Sequence, residues 1–185
     1  MKIGISQPAP VPDPFLIRRA TTADIEVIAR HRAAMFRDMG SAGEELIDDL
    51  TSATLQRLEE AMPRGEYLGW LASPQGQPES IVAGAGVQLR LVLPFPHRRP
   101  DGPVELARGR QAIVLNVYTE PAWRRRGLAR LLMLEVLSWA RTEALDSLVL
   151  HAAPEGRALY EALGFVATNE MRYAGDLARP TAAGG

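Results

Sequence analysis

Residues 113–119 form an apolar run rich in β-branched side chains, and Pro121 ends it. Such a run reads as a strand covered on both faces. Residues 128–140, rich in Leu and Met and free of Gly and Pro, propagate as a helix. Between the two lie Arg124, Arg125, Arg126 and Gly127. A chain in this order must turn sharply from a buried strand into a helix, with bare backbone at the glycine. The helix N-terminus then presents unpaired N–H groups, and its dipole favours an anion there. The arginines add fixed positive charge and forked donors. The guest that suits this concavity is a phosphate or pyrophosphate; the plain alternative is a solvated basic turn.

Two common phosphate loops are absent, since neither G-x-x-x-x-G-K-[ST] nor G-x-G-x-x-G occurs. The turn carries R-x-x-G-x-A instead, on Arg124, Gly127 and Ala129. This segment resembles the acyl-CoA pyrophosphate loop of the GNAT superfamily of N-acetyltransferases. A second block, Ala158-Leu159-Tyr160-Glu161-Ala162-Leu163-Gly164-Phe165, resembles a late segment of the same family, and Thr168-Asn169-Glu170-Met171-Arg172 follows it. Together the blocks cover roughly the C-terminal half.

The resemblance implies acetyl-CoA as co-substrate and no metal. It places Val117, Tyr118 and Thr119 along the pantetheine arm. It wraps Arg124, Arg125, Arg126, Gly127, Leu128, Ala129 and Arg130 around the pyrophosphate. Mostly main-chain contacts would explain why Leu128 and Ala129 are tolerated there. It also implies that Tyr160 protonates the departing thiolate.

The residues around Tyr160 have a reading of their own. On a helix over 155–163, Ala158, Leu159, Ala162 and Leu163 share a face and would pack on the sheet. Tyr160 lies beside that stripe, with Gly156 one turn earlier leaving space next to the ring. A boundary tyrosine that snorkels to water fits as well as a proton donor.

At 185 residues the chain is long enough for one full core. The expected organisation is a flexible lead-in over 1–14, a single domain over 15–177 and a flexible tail over 178–185. A formal charge of −1 gives no global field for nucleic acid. Zero cysteines exclude disulfides, thiolate zinc sites and a cysteine nucleophile. No apolar stretch approaches membrane-spanning length and no signal-peptide pattern opens the sequence, so the expected setting is cytoplasmic.

Along the chain, a strand over 15–19 precedes a helix capped by Thr21 or Thr22, with Asp24 in its first turn and Gly40 at its end. Arg32 falls inside the apolar stripe of that helix. Its head either reaches solvent or faces a cavity and binds an anionic group of the acceptor or cofactor. A second helix spans 44–62 and stops at Pro63. Strands over 67–72 and 81–93 flank a turn at 73–78. The 94–109 stretch, with four prolines, several arginines and His97, reads as too irregular for a simple hairpin. Strands over 146–150 and 166–174 complete the sheet. The fold class is thus α/β, a mixed, mostly antiparallel central sheet of roughly six to seven strands flanked by about four helices, GNAT-like. The resemblance adds a splay between the strands at Ile113 and Asp146 that admits the cofactor arm.

Acyl transfer to an amine needs a held donor, a proton acceptor, a stabilised oxyanion and a protonated leaving group. Backbone N–H groups at Val117, if the strands part there, would hold the thioester carbonyl, an interaction typically worth ~3 kcal/mol in a transition state. Many family members carry a glutamate on the central strand, but here its polar residues are Gln111 and Asn116. Asn116 reads as a satisfied amide or as a catalytic one. The candidate base is His151, at the ligand end of its strand; Glu120 and His97 are lesser candidates. The reading is an N-acetyltransferase acting on a primary amine of a small molecule or peptide by direct attack in a ternary complex. A non-catalytic acyl-CoA sensor is the rival. Neither nucleic acid nor membrane is expected as a partner, and a homodimer stays open.

Overall fold

The computed structural model describes residues 14–98, 102–168, 170, 171 and 173. They pack as two units, Met1–His151 and Ala152–Gly185.

The first unit is built on a five-stranded sheet of order β1-β2-β3-β6-β7. Its strands are β1 (Phe15–Arg19), β2 (Tyr67–Pro74), β3 (Ala83–Leu91), β6 (Arg110–Thr119) and β7 (Ser147–Leu150). The first three pairings are antiparallel, and β6 with β7 is parallel. A separate two-stranded sheet joins β4 (Phe95–Arg98) to β5 (Val104–Ala107). The 94–109 stretch therefore holds paired strands, where the prolines suggested none. Pro96 sits within this two-stranded ribbon, which lacks the central strands that proline cannot serve. Within 166–174, the described residues form no strand, and 169, 172 and 174 lie outside them.

Strand alternation sends β2 side chains to two faces. Tyr67 and Leu71 join the core of Ile25, Ile28, Leu58 and Ala61 from helices α1 (Ile25–Asp38) and α2 (Glu44–Ala61). Trp70 points the other way and meets Trp139 of α3 (Leu128–Thr142), ring centroids 5.5 Å apart. Leu128, Leu132, Met133, Val136 and Ala140 of α3 are buried at helical spacing, so one stripe covers that face of the sheet. The second unit contains α4 (Pro154–Ala162).

The entry to α1 is fixed by Asp24. Its carboxylate accepts both terminal nitrogens of Arg18, at 2.8 and 2.7 Å, and the Thr21 backbone N–H at 2.8 Å. The Arg18 bonds, then the Thr21 bonds, hold its pKa at about 2 against the opposing cost of burial. A depressed carboxylate stabilises the fold above its unfolded pKa and loses that contribution as pH falls towards its folded value. Asp24→Asn should therefore cost about 2 kcal/mol at neutral pH, read from urea unfolding. The two proteins should converge as pH falls from about 4 to about 2; a gap independent of pH would contradict this role.

Candidate active site

From Gln111 to Val114, β6 is flanked by β3 on one edge and β7 on the other. Gln111 fastens the second seam, its amide donating to Ser147 Oγ at 2.8 Å. The pairing with β7 ends where Val114 meets Leu150, and β6 runs on to Thr119. Just beyond that point the register with β3 breaks. Gly86 faces Leu115 and Gly84 faces Tyr118, so Ala85 alone spans Asn116 and Val117. This is a β-bulge. Asn116 carries it with φ at +56°, a conformation that asparagine tolerates better than most residues.

The bulged side chain is buried and fully engaged. Its Nδ2 donates to the Tyr67 hydroxyl at 3.1 Å, and its Oδ1 accepts Arg32 Nη1 at 2.6 Å. Burial pushes the Tyr67 phenol up to about 12, so it stays protonated. Any Cβ at Gly86 would overlap the Tyr67 hydroxyl, which explains a glycine beside the bulge. The Arg32 head thus points to the sheet, and Asn116 is a satisfied amide.

Beyond β6 the chain makes a 3-10 turn at Pro121–Trp123 and enters the arginine loop. Arg124 Nε donates to the Thr119 carbonyl at 3.0 Å, and its Nη2 pairs with Asp38 at the end of α1. The Tyr118 hydroxyl also donates to Asp38, at 3.3 Å. Arg126 stacks over Trp123 at 4.8 Å. Two of the three arginines therefore brace the loop itself. Arg125 and Gly127 both have positive φ, +63° and +84°. The first helical bond of α3 runs from the Leu131 N–H to the Gly127 carbonyl, at 3.0 Å. The N–H groups of the preceding turn have no helical acceptor, as at any helix start. A Cβ on Gly127 would meet nothing within 4 Å. Its backbone angle, not crowding, demands glycine, and the space above the loop is open. The main chain from Arg125 to Arg130 could offer an anion the kind of donors that a helix start provides.

The other candidates separate. Glu120 follows β6 and its Oε1 lies 3.4 Å from His31 Nε2. His31, which sequence reasoning did not single out, is the partner of Glu120. It lies three positions after Ile28, on the buried stripe of α1, and only 3% of its surface is exposed. Burial lowers its pKa against the pull of Glu120, which its Nε2 faces. Its Nδ1 is buried without a partner among the described residues. His151 is exposed and directly follows β7, on the side where β6 and β7 part. His97 lies elsewhere. It lines a groove of about 490 Å³ with Ala140, Arg141 and Asp146. That groove is at the far end of α3 from the arginine loop, roughly 20 Å along a helix of this length.

In the second unit, Tyr160 is half-buried and packs edge-on against Phe165, centroids 6.0 Å apart. Burial raises its pKa. A Cβ on Gly156 would come within 2.9 Å of the Tyr160 ring, so this glycine does make room for the phenol. The expected packing stripe is only partly present: Leu159 and Leu163 are half-buried, whereas Ala158 and Ala162 are exposed.

This mixed α/β fold is similar to that of GNAT acetyltransferases. Residues 96–178 match the family model for the acetyltransferase (GNAT) domain, a span that includes both sequence blocks. A GCN5-related N-acetyltransferase from Ralstonia eutropha JMP134 is 28% identical with a TM-score of 0.72, covering 86% of this chain and 97% of that one. A predicted acetyltransferase from Clostridium acetobutylicum, solved with acetyl-CoA, is 22% identical with a TM-score of 0.68, covering 87% and 96%. Glucosamine-6-phosphate N-acetyltransferase from Arabidopsis thaliana shares the fold at 13% identity, TM-score 0.60, covering 90% and 100%. No curated protein matches by sequence. The likeness to the GNAT superfamily is thereby shown.

Among the described residues, no group of three or more His, Asp or Glu side chains is placed to hold a metal ion. No helix is long and apolar enough to cross a membrane.

Gly127→Val forces a β-branched residue to positive φ, a strain of about 1–3 kcal/mol, and pushes bulk into the open space over the loop. Calorimetric titration with coenzyme A should show binding weakened by roughly tenfold or more. Undiminished affinity would place the phosphates elsewhere.

Proposed function

We propose that the protein is an N-acetyltransferase that moves the acetyl group of acetyl-CoA to a primary amine by direct attack in a ternary complex. The observation that carries this is the parting of β6 from β7 after Val114 and Leu150, next to the Asn116 bulge and upstream of the open loop at Gly127. One strand thereby leads from an edge without a paired strand among the described residues, at Val117, Tyr118 and Thr119, to a cradle of main-chain donors. When bound, acetyl-CoA supplies the activated acyl group.

The chain's own groups do the rest. Edge amides at and after Val117 receive the thioester oxygen, where such donors stabilise developing charge. His151 takes the proton from the amine, and the neutral, proton-bearing phenol of Tyr160 returns one to sulfur. Cysteine is absent from the sequence, so no thiol nucleophile competes with direct attack. The setting we propose is the cytoplasm, with a small amine or an exposed peptide amine as the acceptor.

Thiol release from acetyl-CoA should be stimulated by at least one member of an amine panel. Tyr160→Phe should lower its turnover by roughly a hundredfold while leaving coenzyme A affinity nearly constant. Tight binding of coenzyme A without stimulation by any amine would favour a non-catalytic sensor. Equal turnover by the variant would remove the acid role.

A further inference from the structure

Arg32 lies in α1 among inward-facing residues, with Ala29 and Ala33 buried beside it. Its guanidinium sits 4.8 Å over the Phe36 ring and donates to Asn116 Oδ1 at 2.6 Å. Arg32 is half-buried, and a partly desolvated cation is stabilised by a carboxylate beside it. Here none pairs with it among the described residues. Asp38 is taken by Arg124 and Tyr118, and Glu120 faces His31. Burial lowers the Arg32 pKa, opposed only by the Tyr67 phenol, which agrees with the missing counter-ion. A guanidinium has five donors, so the bond to Asn116 leaves enough for a forked grip on an anion.

We infer that Arg32 anchors a carboxylate or phosphate carried by the amine acceptor. The inference rests on the acetyltransferase reading and gives that site its substrate class. The anion cannot be one of the coenzyme's phosphates if these sit at the start of α3, because Arg32 engages the strand before it leaves the sheet. Asn116 immediately precedes Val117, where the thioester is expected, and a thioester is uncharged. The charge that meets Arg32 therefore arrives with the acceptor. Because Asn116 and Val117 are adjacent, nitrogen and anion are separated by a short chain, as in an amino acid or a small amine phosphate.

Matched amines separate the inference from the reading beneath it. Amino acids would be compared with their amides, and O-phosphoethanolamine with ethanolamine, in the thiol-release assay. The native protein should favour at least one acidic member over its neutral match by roughly tenfold or more in kcat/KM. The two pairs distinguish carboxylate from phosphate. Arg32→Gln should reduce that preference to near unity, mainly through KM, and Arg32→Lys should restore part of it. Turnover without acidic preference in the native protein overturns the inference alone, as does a preference that survives Arg32→Gln. Absence of turnover with every amine overturns the enzyme reading and the inference together. The native comparison stands even if a variant fails to fold.

Discussion

One extra residue in β6 organises the rest of the first unit. Asn116 opens the bulge at positive φ and would be a costly buried amide if left unpaired. Tyr67 and Arg32 satisfy it from β2 and α1. These bonds join the bulge to both sides of its surroundings, so neither α1 nor β2 can shift without exposing a buried polar group. The pairing with β7 ends two residues earlier, and the strand that emerges has an edge to offer a ligand.

Charge on this side of the sheet is distributed with the same economy. Asp38 ties the end of α1 to Arg124, and Arg124 in turn holds the Thr119 carbonyl. The loop is thereby braced by its side chains while its backbone stays available. Such an arrangement favours an anion through main-chain donors and helix polarity rather than through flexible surface charge. An anion site of this local kind would not need net positive charge, which a chain with a formal charge of −1 lacks.

The path from strand to loop to helix was legible in the sequence because each part has a strong local signal: β-branched residues, a glycine at forced φ, then helix formers. The resemblance carried by Arg124, Gly127, Ala129 and the 158–165 block pointed to the fold that the comparisons show. The bulge was not legible, since one added residue leaves the composition of an apolar strand unchanged. His31 was available to a strict reading of helical period but is a polar letter in an apolar stripe. The pairing of β4 with β5 was hidden by four prolines. In α4, helical periodicity placed Ala158 and Ala162 inward, yet small side chains on a short helix contribute little burial and both are exposed.

On the reading proposed above, backbone amides at the start of α3 grip a diphosphate. Backbone amide NMR during titration with coenzyme A tests it directly. The largest shifts should fall on residues 125–130, with a second group at 117–119 along the exposed strand edge. Shifts confined to other parts of the chain, or none at millimolar coenzyme A, would contradict it.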